Sequence, residues 1–230
     1  MKLFTAFTAN PDKIITHLKD FHLTEAGVLP IFDIKDIKDK SNIEKEISEH
    51  KTYCALLGDD HSITYSAFKA FAKNNPGAGI IVFDAHPDEG YLKRLIDEKT
   101  LDKNNAVLVG IRNMSKEEKK FIDEHKIKNY SMKEISFEGL HEVADSVMSV
   151  ARQWSKAYIS INIDVLDPAF APAVEKPEPG GMSTRDLLYF IQRLKMLRNT
   201  WMYDVVGFNP DKDVNDITSK TAAKIVLELS

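Results

Sequence analysis

Three polar clusters each close a run of apolar residues. Gly58-Asp59-Asp60-His61-Ser62 closes TYCALLG, Asp84-Ala85-His86-Pro87-Asp88 closes GIIVFDAH, and Asn162-Ile163-Asp164 with Asp167-Pro168 closes AYISINIDV. Several carboxylates brought together in a dry crevice repel one another, so they need protons or a cation. Imidazoles mixed with carboxylates suit Mn, Zn, Fe or Ni better than Mg or Ca. Along a strand, residues i and i+2 share a face. Asp84 and His86 therefore project together, joined by Asp88 if the strand runs that far, and Asn162 pairs with Asp164 in the same way. Each residue also has a bland reading: Asp60 as a helix N-cap, Asp84 and Asp88 as turn formers, His86 as a satisfied core histidine. Their coincidence at three run ends favours a metal centre over all of these at once.

The elements that must position these groups alternate. Strands are expected at 52–58, 79–86, 105–112, 128–132, 157–165 and 200–209. Helices are expected at 63–75, 115–126, 140–154, 184–197 and 218–230. Ser115 with Glu118 has capping-box spacing, and Ser183 or Thr184 caps the 184–197 helix. Near the start, MKLFTAF and VLPIFDI read as strands and KDIKDKSNIEKEISEH as a helix with a polar entry. Val/Ile runs without polar alternation indicate strands buried on both faces. Alternating with helices, they predict an α/β fold, a three-layer α-β-α sandwich around a mostly parallel sheet. Ligands of such sheets bind beyond the carboxyl ends of the strands, where the three clusters fall.

Composition narrows the function classes. The 230 residues are 43% hydrophobic and 29% charged, with a net charge of −4, no repeat and no linker, consistent with one domain over 1–230. Lysines are interleaved with acids, so a nucleic-acid surface is not expected. No stretch approaches the ~20 apolar residues of a membrane span, and MKLFTAFTANPDK lacks an apolar leader core, so a cytoplasmic location is expected. The single cysteine, Cys54, lies in an apolar run and reads as a buried structural thiol.

The motifs GDDHS (58–62), DAHPD (84–88), SINIDVLDP (160–168) and PAVEKPEPGG (172–181), with VLVGIRN (107–113) and DVVGFNPDKD (204–213), resemble the ureohydrolase family of arginase, agmatinase, guanidinobutyrase and formiminoglutamase. The resemblance spans roughly residues 50–230 and identifies the chain as a short, divergent, arginase-like member. It implies two manganese ions, one at His61, Asp84 and Asp88, the other at Asp84, His86 and Asp164, activating water toward a guanidinium carbon. It also implies a small-molecule substrate and self-association, because relatives form trimers or hexamers.

This sequence departs from the pattern at several points. Asn162 stands where relatives carry the other bridging aspartate, and Gly207 where they carry the guanidinium-binding glutamate. The histidine-bearing loop after DAHxD is absent, Val174-Glu175-Lys176 replaces a Thr/Gly stretch, and Asp59 replaces a glycine. Asp84, His86 and Asp164 survive. They also resemble the one-zinc site of histone deacetylase-like hydrolases, although the paired histidines of that group are missing. Two readings follow. The first is a C–N hydrolase acting on an amidine, guanidino or amide group with one or two Mn²⁺ ions, or Zn²⁺ if one ion is bound. In it Asp88 or His61 accepts the proton from water, and Glu175 and Lys176 touch substrate. The second is a non-catalytic protein that keeps the site for binding or regulation.

Overall fold

The computed structural model describes residues 1–7, 12–87 and 89–230. Its eight strands are β1 (Lys2–Ala6), β2 (Asp33–Asp36), β3 (Cys54–Gly58), β4 (Gly79–Phe83), β5 (Ala106–Val109), β6 (Lys128–Tyr130), β7 (Ala157–Asn162) and β8 (Thr200–Val206). They form one sheet in the order β2-β1-β3-β8-β7-β4-β5-β6, and every pair is parallel. The helices are α1 (Asp12–Leu18), α2 (Ile43–Glu49), α3 (His61–Asn74), α4 (Glu89–Asp97), α5 (Lys116–His125), α6 (Met132–Glu138), α7 (Leu140–Ala151), α8 (Thr184–Lys195) and α9 (Ile217–Leu229).

The central strands are buried on both faces, and alternate residues feed two cores. Leu57, Ile81, Phe83, Ile161 and Val205 pack with α1, α7, α8 and α9 through Ile14, Val147, Phe190 and Val226. Leu56, Ile80, Val82, Tyr158 and Val206 pack with α2, α3, α4 and α5 through Ile47, Phe68, Leu95 and Phe121. Helices on both faces of a parallel sheet give the three layers the alternation predicts. The chain passes from β3 to β4 through α3 and leaves space between them that β7 and β8 later fill. The carboxyl ends of β3, β8, β7 and β4 therefore lie side by side, and the polar clusters follow those ends.

Local chemistry sets the boundaries. Ser115 and Glu118 form the expected capping box of α5, and Ser183 with Asp186 forms one on α8. Ser131 caps α6 with Glu134, which ends β6 at Tyr130, before the expected Met132. Helices α1, α4 and α6 are additions to the sequence reading. Cys54 is buried, and burial pushes its thiol up to about 12, as befits an inert core residue. Among the described residues no helix is long and apolar enough to cross a membrane.

The segment between α1 and β2 is tied to α8 by a two-pronged pair. Arg185 Nη1 and Nη2 donate to Glu25 at 2.7 and 2.9 Å, and Gln192 adds a third bond. These bonds, Arg185 first, hold the Glu25 carboxyl at about 2, below its ordinary 4.5. The stabilisation is fully present above about pH 4.5 and is lost as pH falls toward 2. Arg185→Ala is expected to cost up to ~1 kcal/mol at pH 6, because the pair is largely solvent-screened. Urea unfolding at pH 6 and pH 3 should show that cost shrinking at the lower pH. An equal cost at both would contradict the assignment.

Candidate metal centre

The apolar pattern suggested that β4 runs through His86, but the strand stops at Phe83. Asp84 Oδ1 accepts a hydrogen bond from the His86 backbone N–H at 2.8 Å, so a side-chain-closed turn replaces the ladder. β7 ends by the same device. Asn162 Oδ1 accepts from Asp164 N at 3.2 Å, and residues Ile163–Val165 form a 3-10 turn instead of extending the strand. Asp84 with His86, and Asn162 with Asp164, therefore converge through two capped turns at neighbouring strand ends and not along one face of an extended strand.

The ligand atoms of Asp84, His86 and Asp164 all lie within 4.8 Å of one another. Ala85 N donates to Asp164 Oδ1 at 3.1 Å. His86 Nδ1 faces both carboxylates, 3.3 Å from Asp164 Oδ2 and 3.9 Å from Asp84 Oδ1. Asp84 is 1% exposed and Asp164 7%. Burial, with Asp164 alongside, pushes the Asp84 carboxyl up to about 6. Burial also works against the Asp164 charge, but hydrogen bonds from His86 and Ala85 outweigh it and hold that group low. The bond to Asp164 in turn raises His86. Without a cation, such a pair relieves its repulsion by keeping a proton. A divalent ion would remove that repulsion directly, and two carboxylates with one imidazole fit a transition-metal ion such as Mn²⁺ or Zn²⁺.

His61 opens α3 and is buried, and Asp60 N-caps that helix by accepting from Ser62 N at 2.8 Å. The hydrogen-bond network assigns the proton to His61 Nε2, which donates to Asp84 Oδ2 at 2.8 Å, while Nδ1 meets the Thr64 hydroxyl at 3.1 Å. The imidazole stacks on Tyr91 of α4, with centroids 4.6 Å apart and planes 14° from parallel. Asn162 Nδ2 donates to the same Asp84 oxygen at 3.2 Å. Two N–H donors thus meet the carboxylate oxygen on the side where the resemblance implies the first ion. Gly207, just past β8, has φ +87°, and a Cβ there would lie 1.9 Å from Asn162 Oδ1. Asn162 and Gly207 are interlocked.

These groups floor a cavity of about 200 Å³ whose rim includes Asp59, Glu118, Glu175 and Lys176. Asp59 binds Lys40 at 2.9 Å. Glu175 also bonds Asn209 and Lys212, the latter at 2.9 Å. Lys176 is close enough for its charge to act on His86. Asp88 lies outside the described residues. A cavity of about 250 Å³ at the amino ends of the strands, near Trp201 and Phe71, has no carboxylate in its lining. The proline-rich loop is folded over the site by Asp167, whose carboxylate accepts from Ala169, Gly180 and Gly181 N–H groups.

Sequence reasoning did not single out Tyr91, Arg112 or Glu178. The spacing of Tyr91, Leu92, Leu95 and Ile96 was the available signal for α4. Arg112 and Glu178 lay inside the motifs VLVGIRN and PEPGG, without a role.

The sequence model of the arginase family matches residues 5–230. A formimidoylglutamase of Halalkalibacterium halodurans is 30% identical over 97% of this chain and 75% of its own length. An arginase of Staphylococcus aureus is 27% identical over 92% and 79%. Among solved structures, formimidoylglutamase from Bacillus subtilis superposes with a TM-score of 0.89 at 24% identity, covering 99% of this chain and 85% of that one. Proclavaminate amidino hydrolase from Streptomyces clavuligerus gives 0.89 at 24%, covering 99% and 90%, and these two likenesses speak to the fold alone. The chain belongs to the arginase family, and with it to the hydrolases of C–N bonds other than peptide bonds.

Proposed function

We propose that this chain hydrolyses a C–N bond of a small amidine, guanidino or amide substrate with one divalent ion held by Asp84, His86 and Asp164. The observation that carries the proposal is the convergence of these three ligands, largely buried, on the floor of a small cavity. A bound Mn²⁺ or Zn²⁺ would lower the pKa of its water toward neutrality. Asp84 and Asp164 supply the charge that retains the ion, and His86 presents Nδ1 to the same point. The sequence offers His61 and Asp88 as proton acceptors, and with the His61 Nε2 proton given to Asp84 and Nδ1 bonded to Thr64, Asp88 is the one favoured here. The cavity, about 200 Å³, fits a small substrate. Lys176 on the rim suits a carboxylate at the far end of such a molecule.

The site supports one ion better than two. A second ion on the His61 side would need Asp84 Oδ2, which already accepts from His61 and Asn162, and Asn162 brings an amide in place of a charge. The same residues favour a second reading, a family member that binds metal without turnover, since Gly207 supplies no carboxylate for a guanidinium. The two readings separate on assay. Protein loaded with Mn²⁺, and separately with Zn²⁺, is given formimidoylglutamate, arginine, agmatine and guanidinobutyrate, and C–N cleavage is followed by product release. Turnover that disappears in Asp84→Ala supports hydrolysis. Metal-loaded protein that turns over none of them would favour the binding role.

A further inference from the structure

Arg112 follows β5 and lies half-buried behind the three ligands. Its guanidinium donates to backbone carbonyls throughout. Nη2 reaches Asp164 O at 2.7 Å, Glu178 O at 2.6 Å and Leu166 O at 3.2 Å. Nη1 reaches Val165 O at 3.2 Å and Gly110 O at 3.4 Å, and Nε reaches Glu178 O at 3.1 Å. Among the described residues no carboxylate accepts from it. The contact is close, since a Cβ on Gly181 would lie 2.7 Å from Nη2. An arginine placed for charge pairing would face an acid side chain. This one joins two separate pieces of backbone, the turn carrying Asp164 and the loop carrying Glu178.

That loop bears on the metal ligands from the other side. Asn113 Nδ2 donates to Glu178 Oε2 at 2.8 Å, and the same oxygen stands 3.8 Å from His86 Nε2. The Nδ1 of that ring faces Asp84 and Asp164. Histidines that bind metals through one nitrogen are commonly oriented by a carboxylate at the other.

We propose that Arg112 is a positioning residue for the metal centre: by gripping the carbonyls of the Asp164 turn and the Glu178 loop, it fixes Asp164 and the Glu178 carboxylate on opposite sides of His86. The inference rests on the reading of Asp84, His86 and Asp164 as a metal site. A lysine at this place keeps the charge but offers a single ammonium, which cannot span carbonyls from separate segments in one fixed plane.

The test measures the affinity of the full chain for Mn²⁺ and Zn²⁺ by competition with a chromophoric chelator. Parent, Arg112→Lys and Glu178→Gln are compared, and urea unfolding of each chelator-treated protein is run alongside. The expected result is a metal Kd raised ~10–100-fold in Arg112→Lys and by at least several-fold in Glu178→Gln, in protein that is folded before metal is added. Parent-like affinity in either folded variant overturns the proposal, as does an Arg112→Lys protein that loses stability while binding metal like the parent. If Arg112→Lys does not fold, Glu178→Gln decides alone. A parent that binds neither metal overturns the metal-centre reading and this inference with it, whereas normal parent binding with unaffected variants overturns only the role of Arg112.

Discussion

Asp84→Ala protein is expected to lose its metal and with it on the order of 10³-fold or more in any C–N hydrolysis, beyond the ~10–100-fold that follows loss of an orienting partner. Asp84 joins His61, His86, Asn162 and Asp164. Its Oδ1 receives the His86 amide, its Oδ2 receives His61 and Asn162, and Asp164 lies opposite. Its cost to the empty protein points the other way. Buried beside Asp164, its carboxyl is pushed up to about 6, which marks a charge the fold tolerates poorly without a cation. Asp84→Asn keeps an acceptor for the His86 amide and removes the repulsion with Asp164, but it sets an NH2 against the N–H groups of His61 and Asn162. These effects oppose each other in the empty protein, and the expected difference is in the response to metal: Asp84→Asn gains no stability on metal addition, where the parent does. A variant lacking Asp84 that keeps metal and turnover would show that the three ligands are misassigned.

Gly207→Ala is expected to destabilise the protein by ~2–4 kcal/mol, although it adds a single methyl group. Two effects combine. The residue sits at φ +87°, where an L side chain is strained, and the new Cβ would overlap Asn162 Oδ1 at 1.9 Å. Asn162 cannot swing away freely, because its amide closes the turn to Asp164 and donates to Asp84. Adding Asn162→Ala should relieve the overlap and leave the strain, so the double variant should be more stable than additivity predicts by ~1–2 kcal/mol. Urea midpoints of the parent, the two single variants and the double variant decide this. Gly207→Ala unfolding with the parent would show that the two positions are not interlocked.

Much of this was legible because the signals were strong and local. The apolar runs at Ile80–Phe83 and Tyr158–Ile161, the second interrupted only by Ser160, marked buried parallel strands. Ser115, Ser183 and Asp60 were readable as caps because a side-chain oxygen two or three residues ahead of an amide is a short-range device. The same short range defeated the strand ends. Asp84 and Asn162 continue an extended pattern by sequence, yet each ends its strand by accepting a hydrogen bond from the residue two further on. Helix α4 was hidden because its buried face is only Tyr91, Leu92 and Leu95 among charged neighbours. The grip of Arg112 could not be read at all, since an arginine bound to backbone carbonyls leaves no mark on the residue types of its partners. Asp84, His86 and Asp164 were found together because three chemically matched residues at neighbouring strand ends have few bland explanations. Glu175 lines the cavity and also pairs with Lys212, a contact that only the folded loop creates.

The most direct test is metal stoichiometry by mass spectrometry on protein purified without chelators, in the parent and in Asn162→Asp. About one ion per chain is expected in the parent, because the far side of Asp84 is taken by the N–H groups of His61 and Asn162, and a rise toward two when Asn162 is replaced by a carboxylate. Two ions already present in the parent, or none under any loading with Mn²⁺ or Zn²⁺, would contradict it.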